Sequence, residues 1–210
     1  MNRLLIVGAG GFGREMFAAA REAVGYGTAF EIKGFLDAKP TALDGFAGYP
    51  PIVGSPDTYE PGKYDVFVTA LGSIASRRRC VEALEAKGAK FISIVHRTAT
   101  IGQNVLIGEG SFIAPHVSIT ADVCVGRHVS VFHSSSIGHD SELCDFSHVY
   151  AQCSIGGGVK VGEGAVVYPG SVVVPRRGIG AGAVVGAGSV VFVDVDPGVT
   201  VIGNPAAPMK

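Results

Sequence analysis

The chain has 210 residues and a formal net charge of −1, which gives no basic field for nucleic acid or an anionic membrane surface. Its 31 glycines suit many tight turns, and no apolar run is long enough for a membrane span. The apolar start before Gly8 is too short for a signal peptide, and four irregularly spaced cysteines (Cys80, Cys124, Cys144, Cys153) read as free thiols, so a cytoplasmic protein is expected.

Leu4–Val7 reads as a buried parallel strand. It runs into Gly8-Ala9-Gly10-Gly11-Phe12-Gly13, a complete G-x-G-x-x-G, and then into a helix from Arg14 to Ala23. Strand, glycine turn and helix are the context that the dinucleotide fingerprint requires. Glycines let the backbone approach phosphate, and the helix N-terminus supplies amide donors. Glu31–Leu36 reads as the second strand, ending in Asp37, where an acid meets a ribose hydroxyl. Gly10, Gly11, Gly13, Arg14 and Asp37 are therefore the candidate substrate-binding residues; the plain alternative is a tight βα turn with no ligand. NAD and a nucleotide-sugar are both conceivable ligands. Only about 85 residues precede the repeat described below, against the two βαβ halves of a full Rossmann fold, so a mononucleotide-like ligand is expected and NAD is not.

Lys39–Pro61 is rich in Gly and Pro and reads as loop with at most one short strand. Tyr64–Leu71 is a third buried strand, followed by a helix from Ile74 to Lys87 with Gly88 as its cap. Arg77, Arg78 and Arg79 read as a solvated face of that helix, with a phosphate contact as the other reading. Phe91–Val95 is a fourth strand, and His96–Thr100 leads onward without a flexible linker.

From Ile101 to Val191 every sixth residue is Ile, Leu or Val, sixteen positions without a break. Four residues after each comes a small or β-branched residue, Arg177 excepted. A period of six is neither helical nor that of a simple strand. It fits a strand and a turn, repeated, with three units closing one triangular coil of 18 residues. The aliphatic residue points inward and stacks on its equivalents, and Gly or Asn takes the strained turn angles. About five coils follow, roughly 25 Å long. The period does not fix the handedness.

A short nucleotide-binding α/β domain, an uninterrupted hexapeptide repeat, the segment Ser134-Ser135-Ser136-Ile137-Gly138-His139-Asp140 and the tail Ile202-Gly203-Asn204-Pro205-Ala206 together resemble the bacterial sugar O-/N-acetyltransferases. That family includes sialic acid O-acetyltransferases and N-acetyltransferases of nucleotide-linked 4-amino sugars. The resemblance implies a Rossmann-like domain over 1–96, a left-handed parallel β-helix over 97–193 and a C-terminal cap over 194–210. It implies acetyl-CoA as co-substrate and a homotrimer with CoA held between neighbouring β-helices. His139 would be the general base. Asp140 stands where the family often has Glu. His148, in Phe146-Ser147-His148-Val149, would lie near a neighbouring subunit. The pantetheine would run near His148, Gly157, Pro169 and Ala187.

Read from the residues alone, His139 sits two positions past the inward Ile137, at a corner. Acetyl transfer needs a base near neutral pH and a donor for the thioester oxyanion. Gly157, 18 residues after His139, is placed one coil away to supply a backbone N–H. Asp140 could orient the imidazole only if the corner turns it back, since adjacent strand residues face opposite ways. An exposed turn is the plain alternative. No metal is expected, because no two of the remaining histidines and cysteines stack 18 apart and no C-x-x-C or H-x₃-H spacing occurs. Arg176 and Arg177 project outward, toward CoA phosphates or simply into solvent.

The expectation is an acetyl-CoA-dependent N-acetyltransferase of a nucleotide-activated 4-amino-4,6-dideoxy sugar in surface-glycan synthesis. The alternatives are a sugar O-acetyltransferase, such as one acting on sialic acid, and a nucleotide-binding scaffold with a purely structural β-helix.

Overall fold

The computed structural model describes residues 1–209, which divide into two compact units after Ile94. The first unit contains β1 (Asn2–Val7), α1 (Gly11–Ala20), β2 (Phe30–Leu36), β3 (Ile52–Gly54), β4 (Asp65–Thr69), α2 (Ile74–Glu85) and β5 (Lys90–Phe91). The strand order is β3-β2-β1-β4-β5, and every pair is parallel. Leu4, Leu5, Ile6 and Val7 of β1 are fully buried, as a central strand flanked on both edges must be. The strand order reverses between β1 and β4. The carboxyl ends of these two strands therefore open the crevice where ligands of such sheets bind.

Two expectations are corrected here. The strand expected across Phe91–Val95 is interrupted at residues 92–93. The three arginines of α2 do not form a solvated face, because Arg77 is 0% exposed. It shares the buried side of α2 with Cys80, Val81 and Leu84, at the i, i+3, i+4 and i+7 spacing of one helix face.

A polar cluster closes the opposite end of this sheet. The Asp65 side chain, 1% exposed, pairs with Arg3 at 3.0 Å and Lys33 at 3.2 Å. It also accepts from the Tyr59 hydroxyl at 2.7 Å and from the Gly62 amide at 2.9 Å. Burial by itself opposes ionisation of Asp65. The Tyr59 hydroxyl, the Gly62 amide and the Lys33 ammonium outweigh it and hold the carboxyl below its usual range. A depressed carboxyl stabilises the fold above its unfolded pKa, and that contribution is lost as pH falls through the folded value. Asp65→Asn is therefore expected to lower stability to urea by about 2 kcal/mol at pH 7. The gap to wild type should shrink as pH falls below the ordinary carboxylate value of 3.8. An equal gap at pH 7 and at acid pH would contradict this.

The second unit is a parallel β-solenoid, a left-handed β-helix, with three sheets as the faces of its prism. Up to Val191 neighbouring strands of each sheet lie 18 residues apart, as in Ser118↔Ser136, Ser136↔Ser154 and Ser154↔Val172. The expected aliphatic column is buried from Ile113 through Val191. The exception is the first coil, where Ile101 is 37% exposed, because its strand is the edge of its sheet. The small inward series also holds, and most of its serines are satisfied, Ser147 Oγ being buried without a hydrogen-bond partner. Ser135 Oγ donates to the Tyr150 carbonyl at 2.7 Å and accepts from the Cys153 amide at 3.1 Å. Ser111 and Ser141 repeat the pattern. A buried hydroxyl with both partners supplied is tolerated where an unpaired one would cost free energy.

The glycines that follow the inward residues do not take the left-handed angles. Gly138 is needed for close approach instead, since a Cβ there would lie 2.5 Å from the Gly157 nitrogen. The left-handed positions come two residues later and are held by residues such as Asn104, Asp122, Asp140 and Arg176, with φ of 56–61°. Thr200–Ile202 extends one face in parallel with residues 184–185, and Ala207–Pro208 folds back antiparallel on it.

Candidate functional site

Two constellations stand out, one in each unit. In the first unit, Gly8 follows β1 with φ +106°, an angle that needs glycine, and its amide donates to the Leu36 carbonyl at 2.7 Å. Gly10 is the N-cap of α1 and Gly11 its first residue. A Cβ on either would meet nothing within 4 Å, so both present backbone to open space. Gly13 is different, because a Cβ there would lie 2.1 Å from the Gly8 carbonyl oxygen. It packs the helix against the turn. Only Gly10 and Gly11 are free to meet a ligand.

Asp37 accepts from the Ala9 amide and from the Lys39 amide, both at 2.8 Å. The carboxylate thus ties the end of β2 to the glycine turn and lines a recess of ≈ 160 Å³ with Gly8, Pro56, Ser76, Arg79 and Cys80. Arg79 was not singled out from its two neighbours by sequence. It is the exposed arginine of the three, and helical spacing from Cys80 could have found it. Arg14 stacks its guanidinium 3.7 Å over the Phe46 ring, beside the turn.

In the second unit, His139 follows the strand Ser136–Ile137 at a corner of the prism. Asp140 has φ +59°, and this left-handed turn brings its carboxylate back to its neighbour. His139 Nδ1 lies 2.6 Å from Asp140 Oδ2, with side chains 71% and 68% exposed. An ionised carboxylate fixes the proton on Nδ1 and leaves Nε2 as an acceptor. The His139 ring lies over Gly157, where a Cβ would be 2.7 Å from Nε2. The Gly158 amide donates to the His139 carbonyl at 2.7 Å. The Gly157 amide donates no hydrogen bond among the described residues. His139, Asp140 and Gly157 are therefore gathered at one place.

The other expected acetyl-CoA contacts are not gathered there within one chain. Pro169 and Ala187 are exposed and stacked at a different corner, where the Gly188 amide donates to the Pro169 carbonyl at 2.9 Å. His148 is 1% exposed and packs beside the stacked pair Phe132 and Tyr150, at 4.9 Å and 4.7 Å from their ring centroids. This departs from a ligand contact within one chain, because an imidazole this deeply buried offers a thioester no open ring edge.

Burial, and then the Glu142 carboxylate, push the Cys144 thiol up to about 11, and burial also raises Cys80 and Cys153. A thiol so raised is a poor nucleophile at neutral pH. Among the described residues no group of three or more His, Cys, Asp or Glu side chains gathers as a metal site would need. No described helix is long and apolar enough to cross a membrane.

Residues 3–84 match the family model of the PglD N-terminal domain. The acetyltransferase domain of PglB from Neisseria gonorrhoeae FA1090 superposes with TM-score 0.88 at 28% identity, over 100% of both chains. The same domain is also known in complex with acetyl coenzyme A. A histidine-to-asparagine variant of perosamine N-acetyltransferase from Caulobacter crescentus, in complex with CoA and GDP-perosamine, gives 0.87 at 27% identity, over 100% of this chain and 98% of that one. WeeI from Acinetobacter baumannii AYE gives 0.71 at 27% identity over the whole of both chains. No curated protein sequence matches the chain. The N-terminal unit carries the match to the PglD N-terminal domain, the remainder is a hexapeptide-repeat β-helix, and the whole chain has the architecture of the sugar N-acetyltransferases it matches.

Proposed function

We propose that this protein transfers acetyl from acetyl-CoA to the amino group of a nucleotide-linked 4-amino-4,6-dideoxy sugar, with His139 as general base. The single observation that carries the reading is the 2.6 Å contact between His139 Nδ1 and Asp140 Oδ2, with Nε2 set over Gly157. The amine nitrogen attacks the thioester carbonyl carbon as Nε2 takes its proton. The Gly157 amide is the candidate donor to the oxyanion. The carbon–sulfur bond then breaks, the electron pair leaves on sulfur, and the imidazolium returns its proton to give the CoA thiol. Asp140 holds the tautomer and stabilises the imidazolium.

Gly10, Gly11, Arg14 and Asp37 hold the nucleotide, with Gly13 packing the turn that presents them. The relatives solved with acetyl-CoA, CoA and GDP-perosamine support both ligands. A cyclic homotrimer completes the reading. It would set the Pro169–Ala187 corner of one copy against the His139–Gly157 corner of the next, forming a pantetheine groove that one chain lacks.

The test is a panel of UDP-, dTDP- and GDP-linked 4-amino-4,6-dideoxy sugars offered with acetyl-CoA. At least one is expected to raise the melting temperature by mass action and to be acetylated on nitrogen, seen as an amide by mass spectrometry. No shift and no CoA release with any of them would remove this reading. Acetylation of a sugar hydroxyl instead would favour the O-acetyltransferase alternative.

A further inference from the structure

The corner that carries Asp140 is a column of residues 18 apart: Asn104, Asp122, Asp140, Gly158 and Arg176. Backbone rungs join it step by step. The Asp140 amide donates to the Ala121 carbonyl, the Gly158 amide to the His139 carbonyl and the Arg176 amide to the Gly157 carbonyl. The lower rungs are linked through side chains as well, with Asn104 Nδ2 donating to Asp122 Oδ1 at 2.8 Å. Gly158 is the one member of the column with no side chain. Beyond it, Arg176 leans back over the gap, its Cγ 3.5 Å from where a Gly158 Cβ would stand. From the other side the His139 ring leans over Gly157.

An imidazole and the stem of an arginine thus flank a saddle made of two adjacent glycines. With neighbouring Cα atoms ~3.8 Å apart, Nε2 and the Arg176 side chain lie on the order of 10 Å apart. Arg176 is exposed and makes no ion pair among the described residues. An exposed permanent cation whose stem crosses the open side of a glycine beside the proposed base is within reach of an anion on whatever binds there.

Distance decides which anion. When the thioester lies at Nε2, the pantetheine arm holds the phosphates of CoA more than ~14 Å from sulfur, about four residues of extended chain. The sugar-linked phosphate of the acceptor lies only across one sugar ring from a 4-amino group. We propose that Arg176 is a specificity-determining residue that binds the sugar-linked phosphate of the acceptor, so that this corner selects nucleotide-linked amino sugars. The proposal rests on His139 being the base.

Arg176→Asn is the test, because Asn104 already occupies the same column with φ 56° and the variant should fold as wild type does. With the nucleotide-linked sugar that wild type acetylates, KM for the acceptor should rise about 10- to 100-fold, the worth of one charged hydrogen-bonded contact. KM for acetyl-CoA should change less than about twofold, and Arg176→Lys should recover part of the loss. A raised KM for acetyl-CoA with that of the acceptor unchanged would overturn the proposal in favour of CoA phosphate. A fall in kcat alone with a displaced pH profile would overturn it in favour of a contact to Asp140. No change in any constant would also overturn it. Transfer by wild type that persists in His139→Ala would instead remove the reading on which it rests.

Discussion

Replacing His139 by alanine lowers the rate of acetyl transfer by about 10³-fold, the middle of the range for loss of a positioned general base. The measurement is release of the CoA thiol with the acceptor saturating, followed by a chromogenic disulfide. The stability of the variant should match wild type. The His139 side chain is 71% exposed, and its one side-chain partner, Asp140, is itself exposed, so little burial or pairing is lost. This makes the loss of rate interpretable as chemistry. Unchanged turnover in a folded His139→Ala protein would end the proposed mechanism.

The second large effect falls on the fold. Gly13→Ala places a Cβ 2.1 Å from the Gly8 carbonyl oxygen, a backbone atom that no rotamer change can move aside. Relief requires α1 to shift away from the glycine turn, and Gly8 itself is held by its hydrogen bond to the Leu36 carbonyl. The expected loss is at least about 3 kcal/mol, at the upper end of overpacking penalties. Urea unfolding of the first unit would measure it. Gly10→Ala and Gly11→Ala make the contrast. A Cβ there meets nothing within 4 Å, so stability should stay within about 1 kcal/mol of wild type. These two variants should instead weaken the melting shift that the nucleotide-sugar produces. A stable Gly13→Ala protein, or a Gly10→Ala protein that binds as wild type does, would contradict this division of the fingerprint.

The β-helix was legible in the sequence because its core is one-dimensional. Each inward position stacks on its equivalents one coil away, so the sixfold pattern from Ile101 to Val191 carries the packing plan. The 18-residue register then follows by counting. His139 and Gly157 were found as neighbours in the same way. The first unit was less legible. Its strands and the glycine turn came from local pattern, but the burial of Arg77 depends on which side of α2 meets the sheet. Three consecutive arginines hide that choice.

By itself the sequence determined the coil, its period, the place of His139 at a corner and the strand–turn–helix around Gly8–Gly13. Only the tertiary structure decided how the fingerprint glycines divide between packing and open backbone, because that depends on atoms from separate strands meeting. Only it turned Asp140 back onto His139, since the alternation of a strand forbids that contact and a left-handed φ permits it. It also buried His148 in an aromatic ladder and set Arg176 across a glycine gap from the base, because residues 18 apart become neighbours only once the coils stack.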